Sequence, residues 1–97
     1  SNIDIPEKYF QIVREGMRAT VTAGSAQSLN TLPIPVAGKT GTAQWSSKYS
    51  PHAWFTGFAP YENPQIVLTI LIEEGGDGSR AAVPVAREVF GWWAKNR

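Results

Sequence analysis

The sequence contains no cysteine and only one histidine, His52. The lack of cysteine excludes a disulfide framework and every site that is built from thiolate ligands. A single histidine does not supply the ligand set of an ordinary zinc site either. We therefore expect no bound metal and no cofactor.

The sequence also has no excess of charge of one sign and no long apolar stretch. The nine Lys and Arg residues nearly balance the eight Asp and Glu residues, which leaves a net charge of +1. This balance argues against nucleic acid and anionic membranes as partners. The longest apolar stretch, Ile66 to Ile72, is seven residues long with Thr69 inside it, far short of the ~20 residues of a membrane-spanning helix.

The 97 residues, 42% of them hydrophobic, match a small globular domain. Asp4 followed by Pro6 and Glu7 is typical of a helix start. Apolar residues then recur at helical spacing, namely Phe10, Val13, Met17 and Val21. These signals predict a helix over residues 6–22.

A second helix is predicted from Ser79 to about Lys95, with Asp77 or Ser79 as its cap. Pro84 lies deep for a first turn, which favours a start one or two residues later. The apolar stripe of this helix consists of Val85, Val89, Phe90 and Trp93.

Between the helices, residues 24–35 contain Pro33 and Pro35 and are expected to form a connecting loop. Three segments rich in β-branched and aromatic residues follow, namely Val36–Trp45, Ala53–Ala59 and Gln65–Glu74. Their short connections favour antiparallel pairing. The predicted fold class is α+β, a three-stranded antiparallel sheet flanked by N- and C-terminal helices.

The third predicted strand is apolar on both faces. Ile66, Leu68, Ile70 and Ile72 alternate with Val67 and Leu71. Two helices are available to cover the two apolar faces of the sheet, and the first helix need not lie flat on either face. We therefore expect one face to stay uncovered by these helices. We expect a further layer, supplied either by a second chain or by segments of the protein outside these 97 residues.

The segment Ala37 to Gln44, with the sequence AGKTGTAQ, combines groups that folding alone does not require. Glycine in a strand often marks a close approach to the backbone, and a ligand is one candidate for what approaches. Lys39, Thr40 and Thr42 add donors suited to a carboxylate or an oxyanion. The alternatives are a bent strand with a surface lysine and a phosphate-binding loop. The second alternative requires glycine where Pro33 stands and a helix after Thr40.

This segment resembles the third motif of the penicillin-recognising serine enzymes. The resemblance to class B penicillin-binding proteins, and most to the elongation type, runs from about Glu7 to Phe90. The stretches that carry it outside the motif are Arg14–Ala19, Gly24–Ala26, Ala53–Pro60, Asn63–Pro64 and Glu74–Gly76.

The resemblance implies roles for individual residues. Lys39 would help to bind the substrate carboxylate and assist proton transfer, and Thr40 and Thr42 would offer hydroxyls to that carboxylate. The Thr42 backbone N–H would be an oxyanion donor, Gly41 would leave room for the substrate, and Gln44 would contribute to substrate binding. Simple alternation places Lys39 and Gly41 on the opposite side of the strand from the two threonines.

Other polar and aromatic residues receive lesser expectations. No serine is followed three positions later by lysine, so the acylated serine is expected outside this chain. Ser28-Leu29-Asn30 also fits the Ser-x-Asn motif of these enzymes. In the family that motif lies before the first predicted helix, so the match at residues 28–30 is interpreted as a coincidence. His52 is interpreted as a structural turn residue rather than a general base. Trp45 and Tyr49 are expected at the mouth of the substrate-binding cleft. The remaining tryptophans are expected to pack against neighbouring residues, namely Trp54, Trp92 and Trp93.

The resemblance implies that residues 1–97 are the C-terminal segment of a D,D-transpeptidase domain that binds peptidoglycan stem peptides ending in D-Ala-D-Ala, and also β-lactams. Expected partners are the remainder of that domain and proteins of cell-wall elongation, at the outer face of the cytoplasmic membrane. A penicillin-sensing receptor domain and a non-catalytic structural fragment remain alternatives.

Overall fold

The computed structural model describes residues 6–45 and 47–97. The elements in chain order are α1 (Glu7–Thr22), a 3₁₀ helix (Gln27–Thr31), β1 (Ala37–Ala43), β2 (His52–Ala59), β3 (Ile66–Ile72) and α2 (Gly78–Asn96). The predicted succession of helix, three strands and helix is confirmed. The 3₁₀ helix lies inside the predicted loop and buries Leu29 completely. Asp4, the predicted cap of α1, lies outside the described residues.

The three strands form one antiparallel sheet in the order β1-β2-β3, which confirms the predicted fold class. Side chains alternate between two faces of the sheet. The helix face packs on α2 and carries the cross-strand row Thr40, Phe55 and Ile70. The outer face carries the neighbouring rows Lys39-Thr56-Thr69 and Gly41-Trp54-Leu71.

The core lies between the helix face and α2. Phe55 of the sheet meets Phe90 of α2 edge to face, with ring centroids 6.3 Å apart, a favourable aromatic geometry. The other buried residues of α2 are small, namely Gly78, Ala82, Val83 and Ala86. The predicted stripe was wrong for Val85, which is 41% exposed, because alanines and glycine let this helix approach the sheet along a different face.

The start of α2 is fixed by Asp77. Its carboxylate accepts hydrogen bonds from the Ser79 backbone N–H at 2.9 Å and from the Ser79 hydroxyl at 2.8 Å. Asp77 is therefore the cap, and the expected later start was wrong, since Pro84 lies inside the helix. Proline there removes the one donor that the carbonyl of Arg80 would have used. Both residues are exposed, so water can satisfy that carbonyl.

Helix α1 is held by one buried residue, Val21, and by two arginines. Only Val21 of its predicted stripe is fully buried, while Phe10 and Val13 are exposed. The Arg14 guanidinium donates to the Tyr61 carbonyl at 2.9 Å, and the Arg18 guanidinium donates to the Val36 carbonyl at 2.7 Å. The helix is thus attached beside β1 by directional bonds to loop and strand-end carbonyls.

The outer face of the sheet is largely uncovered. Val67 is 75% exposed and Leu71 is 59% exposed, whereas the alternate residues of β3 are half-buried. The two-sided apolar pattern predicted for β3 is confirmed, and the outer side lacks a covering layer among residues 6–45 and 47–97. No helix in the described chain is long and apolar enough to cross a membrane.

Candidate active site

The predicted site residues Lys39 to Thr42 lie on β1, which is an edge strand, and Gln44 follows just after it. The strand pairs with β2 on one side, and no further strand pairs with it in the described part of the chain. An edge strand presents backbone N–H and C=O groups to which an extended peptide can add. The unpaired edge of β1 therefore offers backbone groups to an extended peptide, while α1 lies beside the Val36 end of this strand.

Lys39 projects from the outer face and is exposed. Its ammonium donates to the backbone carbonyl of Thr40 at 3.1 Å. No carboxylate within residues 6–45 and 47–97 forms an ion pair with it. An ammonium has three donors, so the charge and two N–H groups stay available for an anionic ligand.

Thr40 and Thr42 have different surroundings although both project from the other side of β1. Thr40 is 9% exposed, and its Oγ1 lies 2.6 Å from Ser25 Oγ. Thr42 is exposed beside buried Ala53, and Gln44 is exposed just beyond the strand. The alternation that separates Lys39 from the two threonines in the sequence is thus present in the structure. Of the predicted site residues, Lys39, Thr42 and Gln44 are thus exposed, Gly41 is half-buried and Thr40 is almost buried.

The two glycines of β1 face aromatic rings from β2. A Cβ atom at Gly38 would collide with the Phe55 ring, and one at Gly41 would collide with the Trp54 indole. The close approach predicted from these glycines is therefore made by the protein's own side chains on both faces of the sheet. The Trp54 indole occupies the space above the Gly41 Cα atom. A ligand therefore reaches Gly41 along the edge of the strand.

Trp54 and Gly78 support the site, and sequence reasoning missed both in this role. A Cβ atom at Gly78 would collide with the Gly41 carbonyl and lie 2.7 Å from the Trp54 carbonyl. The first residue of α2 thus rests on the backbone of β1 and β2 behind Gly41. The glycine-rich run from Gly75 to Gly78, just before a helix, was the available sequence signal for this contact.

His52 lies in a stack of three rings at the end of the β1–β2 hairpin. Its ring is 5.0 Å from that of Trp45, which in turn is 5.3 Å from that of Tyr49, and the planes are nearly parallel. The Trp45 indole also donates to the Ser50 carbonyl at 2.7 Å. His52 Nδ1 accepts the backbone N–H of Glu74 at 2.9 Å. These contacts give His52 a structural role and fix the connection beyond Gln44.

Other concave and polar regions do not add to the site. A groove of about 1020 Å³ lies between Leu32, Pro33 and the α2 segment that contains Trp92, and it includes no residue of β1. No group of three His, Asp or Glu side chains that could hold a metal occurs among the described residues. The chemistry available here is that of an ammonium, hydroxyls and a free strand edge.

The sequence of this chain is similar to one family of known proteins. The family described as the penicillin binding protein transpeptidase domain matches residues 1–91. The peptidoglycan D,D-transpeptidase MrdA of Haemophilus influenzae is 43% identical over 76 residues, which is 64% of this chain and 12% of that protein.

Solved structures agree with this similarity. Pseudomonas aeruginosa PBP2, in complex with WCK 5153, is 36% identical with a TM-score of 0.81 over 96% of this chain. Penicillin-binding protein A of M. tuberculosis, a ceftriaxone acyl-enzyme complex, is 31% identical with a TM-score of 0.70 over 79%. PBP2 of Helicobacter pylori, in complex with MreC, is 33% identical with a TM-score of 0.76 over 93%. The chain spans only 18–20% of these three chains.

Proposed function

Because the chain belongs to the penicillin-binding protein transpeptidase domain family, we propose that it is the C-terminal segment of the transpeptidase domain of an elongation-type class B peptidoglycan D,D-transpeptidase. The observation that carries the proposal is Lys39, an exposed ammonium without an ion-pair partner in the described residues, on an edge strand that also exposes Thr42. Its substrates are peptidoglycan stem peptides that end in D-Ala-D-Ala, and β-lactams acylate the same site.

In the proposed reaction, a serine outside this chain attacks the carbonyl of the D-Ala-D-Ala peptide bond. The terminal D-alanine leaves as an amine, and an amine of a second stem peptide then displaces the serine to form the cross-link. The Lys39 charge attracts the terminal carboxylate, and the substrate lies along the free edge of β1. The Thr40 and Thr42 hydroxyls are offered to the same carboxylate, Gln44 contacts the peptide, and the Thr42 N–H supports the developing oxyanion.

The remainder of the domain is the proposed cover for the outer face of the sheet. Val67 and Leu71 are exposed there, and exposed apolar patches mark surfaces that bind other protein. A structural fragment that folds on its own would leave no apolar sheet face exposed, so this exposure argues against that alternative. We assign the protein to the outer face of the cytoplasmic membrane, with cell-wall elongation proteins as partners.

Fluorescent penicillin labelling of the full-length protein tests the proposal, followed by mass spectrometry of the labelled peptide. We expect one adduct, on a serine outside residues 1–97. An adduct within these residues would contradict the expected position of the nucleophile. A protein that stays acylated and forms no cross-linked product from stem peptides would be a receptor instead, and absence of labelling would overturn the whole assignment.

A further inference from the structure

The hydroxyls of Ser25 and Thr40 form a hydrogen-bonded pair, with the two oxygens 2.6 Å apart. Ser25 lies between α1 and the 3₁₀ helix, and Thr40 lies in the middle of β1. Resting on the proposed function, we propose that Ser25 is a positioning residue of the transpeptidase. Its hydroxyl donates to Thr40 Oγ1 and thereby directs the Thr40 proton toward the carboxylate of the substrate.

The backbone on both sides of Ser25 is held by the end of α1. The N–H groups of Gly24 and Ala26 both donate to the Thr20 carbonyl at 3.1 Å. Ala26 is fully buried, and a Cβ atom at Gly24 would lie 2.9 Å from the Cα atom of Thr20. This tight turn fixes the position from which the Ser25 hydroxyl reaches β1.

The direction of the hydrogen bond follows from the chemistry of the ligand. Either hydroxyl can donate while the site is empty. An ionised carboxylate only accepts hydrogen bonds, so Thr40 must donate its single proton to a carboxylate bound there. Ser25 is then left as the donor to Thr40, and chains of hydroxyl donors of this kind strengthen one another.

The two residues of the pair differ in exposure. Thr40 is almost buried at 9% exposure, whereas Ser25 is exposed. Solvent therefore reaches the pair from the Ser25 side. If Ser25 only satisfied a buried hydroxyl, its loss would lower the stability of the protein and leave acylation unchanged. A positioning residue changes ligand binding instead.

The test uses acylation kinetics of the full-length protein with a β-lactam that bears a carboxylate. For Ser25→Ala we expect the apparent dissociation constant to rise about tenfold, the order of one weakened hydrogen bond to a charged group. The limiting acylation rate should change little, because the contact exists in both ground and transition states. Ser25→Thr keeps the hydroxyl and should restore binding. Ser28→Ala, which removes a hydroxyl from the adjacent 3₁₀ helix, should match the parent.

A double-mutant cycle tests whether Ser25 acts through Thr40. In a Thr40→Val background, Ser25→Ala should have no further effect on the dissociation constant. Additive effects of the two changes, or a Ser25→Ala variant with parental kinetics, would overturn the role of Ser25 while the proposed function stands. A parent protein that no β-lactam acylates would overturn the proposed function itself.

Discussion

The indole of Trp54 occupies the space in which a side chain at Gly41 would lie. The two residues are cross-strand partners in the β1–β2 pair. Glycine at position 41 is therefore required by the tryptophan opposite it, independently of any substrate. The edge strand of the site keeps its shape through a contact on the outer face of the sheet.

Gly41→Ala should destabilise the protein by about 1–3 kcal/mol, because the new methyl group collides with a large ring. The cost should be smaller in a Trp54→Ala background, where the ring is absent. Thermal unfolding of the full-length variants measures both values. Gly16→Ala is the matched control, since a methyl group at that position of α1 would meet no neighbouring side chain within 4 Å, and it should stabilise by about 0.5–1 kcal/mol. An equal cost of Gly41→Ala with and without Trp54 would contradict this explanation.

Lys39→Ala should lower the rate of β-lactam acylation by about 10²–10³-fold in the full-length protein. The substitution removes a charge directed at the substrate carboxylate. The melting temperature should change little, because Lys39 is exposed and makes one local hydrogen bond. Lys95→Ala, in the last turn of α2, is the control for loss of a positive charge. Parental acylation by the Lys39 variant would show that this ammonium does not bind substrate.

Gly78→Ala should impair both folding and acylation. A methyl group there would press on the carbonyls of Gly41 and Trp54, and backbone atoms cannot move aside as a flexible side chain can. We expect a lower melting temperature together with slower acylation, because the displaced strand carries the site. The same glycine replaced by serine should behave alike. If the variant had a lowered melting temperature but acylated at the parental rate, the contact of Gly78 would matter for the packing of α2 and not for the geometry of β1.

Asp77 should contribute to stability in a pH-dependent way. Hydrogen bonds from the Ser79 side chain and then its backbone lower the pKa of Asp77 below 3.8, assisted by the charge of Arg80 and opposed by desolvation. Because the folded pKa is depressed, this contribution is complete above pH 3.8 and is lost as the pH falls through the folded value.

Asp77→Asn isolates that contribution, since asparagine also caps helices but does not titrate. Melting temperatures measured at decreasing pH should fall less steeply below pH 3.8 in this variant than in the parent. Glu62→Gln controls for the loss of one negative charge. If the melting temperatures of the parent and of Asp77→Asn fell in parallel with decreasing pH, the ionisation of Asp77 would not contribute to stability.

The features that depend on local pattern were predictable from the sequence. Strict alternation in β3 predicted that Ile70 and Leu71 lie on opposite faces of the sheet. Because both faces are apolar, it did not predict that the Leu71 face would be the exposed one. The existence of α1 followed from apolar spacing, but the spacing did not identify what covers Phe10 and Val13. Burial depends on partners that lie elsewhere in the chain or outside it.

The features of the site that were missed depend on the pairing of distant segments. The Gly41–Trp54 contact requires the register of β1 against β2, and the Ser25–Thr40 bond joins residues 15 positions apart through an irregular turn. The glycines of the motif were correctly interpreted as places of close approach. What approaches them, an aromatic ring from the next strand, is set by tertiary structure alone.

The arginine attachment of α1 has a consequence for local unfolding. Two guanidinium-to-carbonyl bonds, from Arg14 and Arg18, hold this helix, and Val21 is its one fully buried residue. Regions with few apolar contacts open before the core does. The amide protons of α1 should therefore exchange with deuterium sooner than those of α2. Ser25, in the turn after α1, lies at the border between the part that opens and the part that persists.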